Sequence, residues 1–295
     1  MPDDAATSTL RRFNRTYTQR IGALDESFLG TGRPLNVSRL LFEIGPDGAT
    51  VRELRDRLEL DSGYVTRLLR RLTDDGLVVV HPDPADRRRR VATLTADGER
   101  SWRELDERSE ELARRLVAPL TERQRARLTE ALATADLLVR AATIHLREVD
   151  PTDRVAREAA DRYFAELARR FPRGFDPGEP DHEGTFLLAT SAGRPVAYGG
   201  VRALSADTGE IKRMWVDDAW RGAGLGSRML RELEALAVRL GHTRVVLDTN
   251  RTLVEAIAMY ERAGYTPIER YNDNPYAEAW FEKTGISSTA AQSGS

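Results

Sequence analysis

The chain has 295 residues, which corresponds to about two domains at roughly 150 residues each. Cysteine is absent, which excludes disulfides, thiolate nucleophiles and cysteine metal sites, and the four histidines are scattered without ligand spacing, so no metal is expected. A net charge of −2 argues against general coating of nucleic acid, and no membrane-length apolar run or leader-like segment is present, so a cytoplasmic protein with no membrane partner is expected.

Residues 50–60, TVRELRDRLEL, begin with the Thr50 and Glu53 spacing of a capping box, and Val51, Leu54 and Leu58 fall on one helical face. After a short turn, SGYVTRLLRRLTDDGL places Val65, Leu68, Leu69 and Leu72 at the spacing of a half-buried helix. Gly63, Arg67 and Arg70 lie on the opposite face, flanked by Thr66 and Arg71. Ser62 and Tyr64 sit at the N-terminal tip, and Gly76 ends the helix. By itself this pair is equally a helical hairpin with solvated arginines.

The next segment, LVVVHPDPADRRRRVATLT, is a β-run, a Pro/Asp turn, four arginines and a second β-run. A basic hairpin beside a basic helix face is the arrangement of a winged helix-turn-helix. The helix enters a major groove, and the wing arginines reach phosphate or a narrow minor groove. On this reading Ser62, Tyr64, Thr66, Arg67, Arg70, Arg87, Arg88 and Arg89 contact double-stranded DNA. In order and spacing, LDSGYVTRLLRRLTDDGLV and DPADRRRRVATLTADG resemble the MarR family of transcription regulators, over roughly residues 8–141. Asp86 and Arg88 match the D-x-R of the family's wing. The resemblance implies a homodimer on a pseudo-palindromic operator, held by long flanking helices. The candidates for these are residues 9–29 and the run from Thr95 to about Ala142, broken at Pro119.

The second half opens near Ile144 with a short strand, IHLREVD, a helix from about Thr152 to Phe171, and a Gly/Pro-rich loop. Three strand-like segments follow, TFLLATS, RPVAYGGVRAL and GEIKRMWV. After a glycine loop come a helix over Leu225–Leu240, the strand TRVVLDT, the helix LVEAIAMYERAG and two last strands, YTPIERY and AEAWFEK. Consecutive strands before the loop predict a mixed sheet in an α/β unit. The expected division is a mainly α domain over 1–142, an α/β domain over 143–285 and a disordered Ser/Ala/Gly-rich tail over 286–295.

In DDAWRGAGLGSRML, Gly222, Gly224 and Gly226 let successive N–H groups approach a phosphate at a helix start. Three phosphates compete for this loop. A P-loop fails because no lysine lies in it. A dinucleotide fold gains support from Asp248, about 20 residues beyond the last glycine, but DDAW and Arg221 separate the strand from Gly222. The third is the pyrophosphate of coenzyme A. Val216 to Gly226 resembles the acyl-CoA-binding motif of the GNAT N-acetyltransferases, and the strand order over 144–284 agrees.

That resemblance implies acetyl-CoA as cosubstrate, held by Met214, Trp215 and Val216 at the strand end and by Arg221, Gly222, Ala223, Gly224, Leu225, Gly226 and Ser227 around the pyrophosphate. Two positions depart from the family. Asp218 stands where proline is frequent, and Leu253 replaces the Asn that precedes the helix Tyr by seven residues. Asn250, one turn earlier, is the candidate substitute. Tyr260 matches the family's proton donor to the leaving thiolate, with a core tyrosine as the plain alternative. Glu210 is the candidate base for an ammonium acceptor, and a solvated strand-start residue fits the same sequence.

The acceptor is expected between the Arg173–Glu183 loop and YNDNPYAEAW. Asp273 suits an ammonium, and Arg169, Arg170 or Arg173 a carboxylate. Asn272, Asn274 and Tyr276 complete a polar cluster that turn chemistry also explains. The expected function is a DNA-binding regulator joined to an N-acetyltransferase acting on a primary amine, of a small molecule or a protein lysine. The alternative is a regulator whose second domain senses acyl-CoA without catalysis. A third, a first domain that serves only as a dimerisation scaffold, sits poorly with the run Arg87–Arg90.

Overall fold

The computed structural model describes residues 4–84, 86–171, 174–176, 178, 183–191 and 193–286. Two compact units divide between Thr129 and Glu130.

The first unit contains α1 (Asp4–Arg20), α2 (Leu35–Ile44), β1 (Ala49–Thr50), α3 (Val51–Leu58), α4 (Ser62–Asp74), β2 (Val78–Pro82), β3 (Arg90–Leu94) and α5 (Ala96–Val117). The flanking helix expected over 9–29 stops at Arg20, because Gly22 turns left-handed at φ +67°. The helix α2 was not foreseen, although Val37, Leu40, Leu41 and Ile44 repeat the spacing that identifies α4. Those four side chains are buried against Leu54, Val65, Leu68 and Leu72, and they form the core of the helix-turn-helix.

Side chains fix each helix start. Thr50 and Glu53 close the capping box on α3, with Thr50 N–H donating to Glu53 Oε2 at 2.8 Å and Glu53 N–H to Thr50 Oγ1 at 3.1 Å. On α4, Asp61 Oδ1 accepts from Tyr64 N–H at 2.9 Å. The expected β2–β3 hairpin is present, and β1 adds a third antiparallel strand beside β3.

The break at Pro119 falls between α5 and α6 (Glu122–Thr143), and the division between units lies inside α6, upstream of the boundary expected at 142/143. The second unit continues with β4 (Leu146–Val149), α7 (Arg154–Arg170), β5 (Thr185–Ser191), β6 (Arg194–Ala203), β7 (Thr208–Val216), α8 (Leu225–Arg239), β8 (Arg244–Thr249), α9 (Val254–Arg262), β9 (Thr266–Pro267) and β10 (Ala279–Thr284). Its strands lie in the order β4-β5-β6-β7-β8-β10-β9, antiparallel throughout except for β7 beside β8, so the sheet is mixed.

Alternation along the strands sends Leu187, Ala197, Ile211, Val245 and Leu247 to one face, where Met229, Leu230, Leu233 and Leu236 of α8 cover them. Phe186, Leu188, Tyr198 and Trp215 go to the other, under Ala156 and Ala159 of α7. The strand expected over 265–271 shrinks to Thr266–Pro267, since Pro267 has no N–H to continue the ladder. Of the expected tail, Ile286 is described and donates its N–H to Thr243 O at 3.3 Å, while 287–295 lie outside the described residues. Among the described residues no helix is long and apolar enough to cross a membrane.

Two irregularities in β7 position the site. It pairs with β8 only from Thr208 to Glu210, and beyond that the strands part. On its other edge the register with β6 slips between Tyr198 and Gly200, and Arg213 sits in this bulge at φ +52°. Gly199 opposite leaves room for the slip, since an added Cβ would lie 3.2 Å from Met214 Cα.

A Cβ at Gly98, in the first turn of α5, would overlap the Leu77 carbonyl, a backbone group that cannot swing aside. Gly98→Ala is therefore expected to cost about 1–3 kcal/mol. A chemical-denaturation midpoint for the N-terminal transition equal to wild type would refute this packing.

Candidate functional site

Where β7 leaves β8, a cavity of about 580 Å³ opens. Met214, Trp215 and Val216 of β7 form one wall, and Leu253, Ala256, Met259 and Tyr260 form the wall across from it through α9 and its N-cap. The cavity reaches Gly222, Gly224, Gly226 and Ser227 at the start of α8. Gly222 and Gly224 take φ +78° and +80°, left-handed values that favour glycine. Gly226 serves differently: a Cβ there would meet Met259 Sδ at 3.3 Å.

Gly224 is the N-cap of α8 and supplies no side-chain cap, and Arg228 N–H closes the first turn onto Gly224 O at 3.0 Å. The N–H groups of Leu225, Gly226 and Ser227 thus have no acceptor within the helix. With the positive end of the helix dipole behind them, they have the chemistry to meet an anion. Ala223 is half-buried and Leu225 is buried in the core, and neither side chain lines the cavity.

One buried carboxylate holds this loop. Glu166 of α7, 8% exposed, accepts from Trp215 Nε1 at 3.0 Å, from Arg221 at 2.6 and 2.7 Å and from Arg170 at 3.0 Å. Arg221 also donates to Val216 O at 3.2 Å and pairs with Asp218. Its guanidinium is thus committed to protein partners while it lines the cavity.

Tyr260 is buried, and burial followed by the nearby Asp248 charge raises its pKa, so its proton is retained at neutral pH. Tyr163 of α7 lines the same cavity and is raised first by burial and then by Tyr260 and Asp248.

Glu210 is 2% exposed, which removes the solvated alternative. Arg202 holds its Oε2 at 2.6 and 3.1 Å, and Tyr271 Oη and Asn272 Nδ2 donate to Oε1 at 3.1 and 3.3 Å. Asp248 lies in the same cluster, accepts from Asn274 Nδ2 at 2.5 Å, and is raised by burial and by Glu210.

The remaining predicted positions have separate surroundings. Asn250 does not enter the cavity: its Nδ2 donates to Tyr276 O at 2.8 Å and its Oδ1 accepts from Thr252 N–H and Oγ1 at 3.0 and 2.7 Å. Asp273 is exposed beside Arg270, and Tyr276 Oη accepts from Asp176 N–H at 2.8 Å. Arg173 lies outside the described residues. Among the described residues no cluster suited to a metal is present. Sequence reasoning missed Tyr163 and Glu166. The signal was there, because Ala156, Ala159, Tyr163, Glu166 and Arg170 recur at 3- and 4-residue steps, which puts a carboxylate on the buried face of α7.

In the first unit, Ser62, Thr66, Arg67 and Arg70 are exposed on α4. Tyr64 is half-buried, accepts from Asn36 Nδ2 at 2.6 Å and lies under the Arg67 guanidinium at 5.3 Å. At the wing tip, Asp86 Oδ1 accepts from Arg88 N–H at 3.0 Å and its carbonyl from Arg89 N–H at 2.8 Å. The side chains of Arg87, Arg88 and Arg89 are left exposed there.

Residues 144–265 match the model of the acetyltransferase (GNAT) family, and residues 31–89 match that of the MarR family. An IAA acetyltransferase of Azospirillum brasilense is 30% identical over 135 residues, 40% of this chain and 81% of the relative. An uncharacterised N-acetyltransferase of Schizosaccharomyces pombe is 36% identical over 66 residues, 22% of this chain, and the match spans only 40% of that relative. Among solved structures, a mutant MarR of Escherichia coli complexed with operator DNA is 25% identical over 42% of this chain and 91% of its own, with a TM-score of 0.37.

Glu166→Gln is expected to destabilise the C-terminal unit by about 2 kcal/mol, less than the roughly 3–5 of a fully buried pair because Arg221 reaches solvent. An unshifted urea midpoint would show that the loop does not depend on this carboxylate. The folded state also binds the Asp248 proton more tightly than the unfolded chain does. Wild-type stability therefore falls as pH rises from the ordinary aspartate value of about 3.9 to the higher folded one. Asp248→Asn should gain on wild type across that window and hold a constant difference above it; parallel midpoint curves would contradict this.

Proposed function

We propose a function from the premise that this chain belongs to the GNAT acetyltransferase family in its C-terminal half and to the MarR family in its N-terminal half. The C-terminal unit transfers an acetyl group from acetyl-CoA to a primary amine. The N-terminal unit binds double-stranded DNA as part of a homodimer. The observation that carries the enzymatic reading is the cleft, which runs from an uncapped α8 N-terminus along a β7 edge without a neighbour to buried Tyr260.

The N–H groups at the start of α8, with Gly222 and Gly224, would hold the pyrophosphate. The open β7 edge at Met214 to Val216 would pair with the pantetheine arm, with Leu253, Ala256 and Met259 as its apolar lining. Acetyl-CoA supplies an acyl group activated as a thioester, open to attack by a neutral amine. Tyr260, kept protonated by burial, is the donor to the departing sulfur. The ammonium proton leaves towards the carboxylates of the α7 face. Glu210 is the member fixed by Arg202, and Asp248 is the one whose proton affinity burial raises above the ordinary aspartate level. Asn272, Asp273, Asn274 and Tyr276 border the acceptor's approach.

For the DNA-binding half, the exposed face of α4 and the wing arginines supply the contacts. Leu10, Phe13 and Tyr17 of α1 are exposed, with the two rings stacked at 5.6 Å, and such an apolar stripe suits a second copy of the chain. A sensor reading has one observation in its favour: neither Leu253 nor Asn250 presents a side-chain amide to the cleft.

Acetyl-CoA turnover with a panel of amines should fall about 100-fold or more in Tyr260→Phe. Equal turnover would remove Tyr260 from the mechanism. No turnover by wild type, together with an acetyl-CoA-dependent change in gel-shift affinity, would select the sensor. Replacing Arg87, Arg88 and Arg89 together by alanine should weaken promoter binding and flatten its dependence on log salt by about 0.9 per lost phosphate contact. An unchanged slope would take the wing off the DNA.

A further inference from the structure

Arg162, Arg170, Arg202 and Arg221 all approach the α7 face of the sheet, and each pairs with a carboxylate. Arg213, half-buried on the same face, has no such partner among the described residues. Its guanidinium instead lies 5.3 Å from the ring centre of Phe164 and 6.0 Å from that of Phe186. Its backbone is held at φ +52° in the β7 bulge, a conformation that costs a side-chain-bearing residue free energy. A strained position that presents an uncompensated cation is a position with a use.

The rings around it continue outwards. Phe164 stacks on Phe175 at 5.7 Å, Phe175 lies 4.7 Å from Tyr276, and Tyr276 stacks on Phe171 at 6.0 Å. All four are only half-buried. The inner end of this wall is Tyr163, which touches Phe164 at 5.4 Å and lines the cleft. Glu210 and Asp248 lie on the same face of the sheet and supply negative charge for an ammonium.

We propose that Arg213 and the Phe164–Phe175–Tyr276 wall form the acceptor subsite, and that it takes a primary amine carrying both an aromatic ring and a carboxylate, the chemistry of an aromatic amino acid. The rings of Phe164 and Phe186 lie near the guanidinium, and among the described residues no carboxylate pairs with it, which leaves its N–H groups for a two-pronged bond to a substrate carboxylate. The substrate ring lies along the aromatic wall, and its ammonium faces Glu210 and Asp248. This inference rests on the acyl-transfer reading of the cleft, and its test separates the two.

With the full chain and acetyl-CoA, kcat/KM is measured for phenylalanine, phenethylamine and leucine. Binding of phenylacetate, which has no amine to acylate, is followed by calorimetry. Wild type should prefer phenylalanine to both other amines and should bind phenylacetate. In Arg213→Gln the phenylalanine-to-phenethylamine ratio should fall roughly 20- to 100-fold, with a similar loss of phenylacetate binding, and Arg213→Lys should recover part of each. If amines are acetylated but phenylacetate does not bind, or the ratio is unmoved in Arg213→Gln, the subsite is wrong and the transferase reading stands. If no amine is acetylated but phenylacetate binds to wild type and is lost with Arg213→Gln, the subsite stands and the transferase reading falls. A misfolded Arg213→Gln leaves the wild-type preference and the phenylacetate measurement to decide.

Discussion

Glu166 brings three separate stretches of chain to one carboxylate: its own helix through Arg170, the end of β7 through Trp215, and the turn before the glycine loop through Arg221. A charge taken out of water at this depth costs several kcal/mol unless it is met on nearly every lone pair, and here it is. The loop over α8 is consequently not a free segment that folds around a ligand. Its position follows from electrostatic compensation within the sheet-and-helix body, and the glycines only shape a backbone whose place is already set.

The cleft has a second cause, which is geometrical. Three residue pairs of parallel bonding join β7 to β8, and after Glu210 nothing binds them. On the other edge the bulge at Arg213 turns β7 relative to β6 at nearly the same level. A strand released on one side and kinked on the other leaves a backbone edge facing a cavity, which few ordinary sheets provide. The polar groups gathered on the α7 face, among them Glu210, Asp248, Asn272 and Asn274, stand beside that opening and satisfy one another.

Much of this was legible where the physics is local. The capping box at Thr50, the face of α4, the basic wing and the glycine loop all depend on residues close together in the chain, and the mixed sheet follows from the run of consecutive strands before that loop. Positions whose surroundings come from far along the chain were not legible. Arg221 reads as a ligand contact in sequence, yet its guanidinium meets Glu166, 55 residues away. Asn250 reads as a substitute for a lost amide, but its oxygen is taken by Thr252 two residues on and its NH2 group by the Tyr276 carbonyl, 26 residues away. Strand register cannot be read from alternation alone, so the slip that places Arg213 has no trace in the spacing.

The three glycines of the loop look alike in the sequence and limit replacement in opposite ways. At Gly222 and Gly224 there is open space where a Cβ would go, so handedness alone restricts them. Asn or Asp, which enter left-handed backbone at modest cost, are then better tolerated there than a β-branched residue of any size. At Gly226 the backbone makes no such demand and Met259 Sδ sets a limit of volume. Alanine there asks only a small shift of a flexible thioether, and each further side-chain atom asks more. Drift among relatives should therefore sort by chirality at the first two positions and by size at the third.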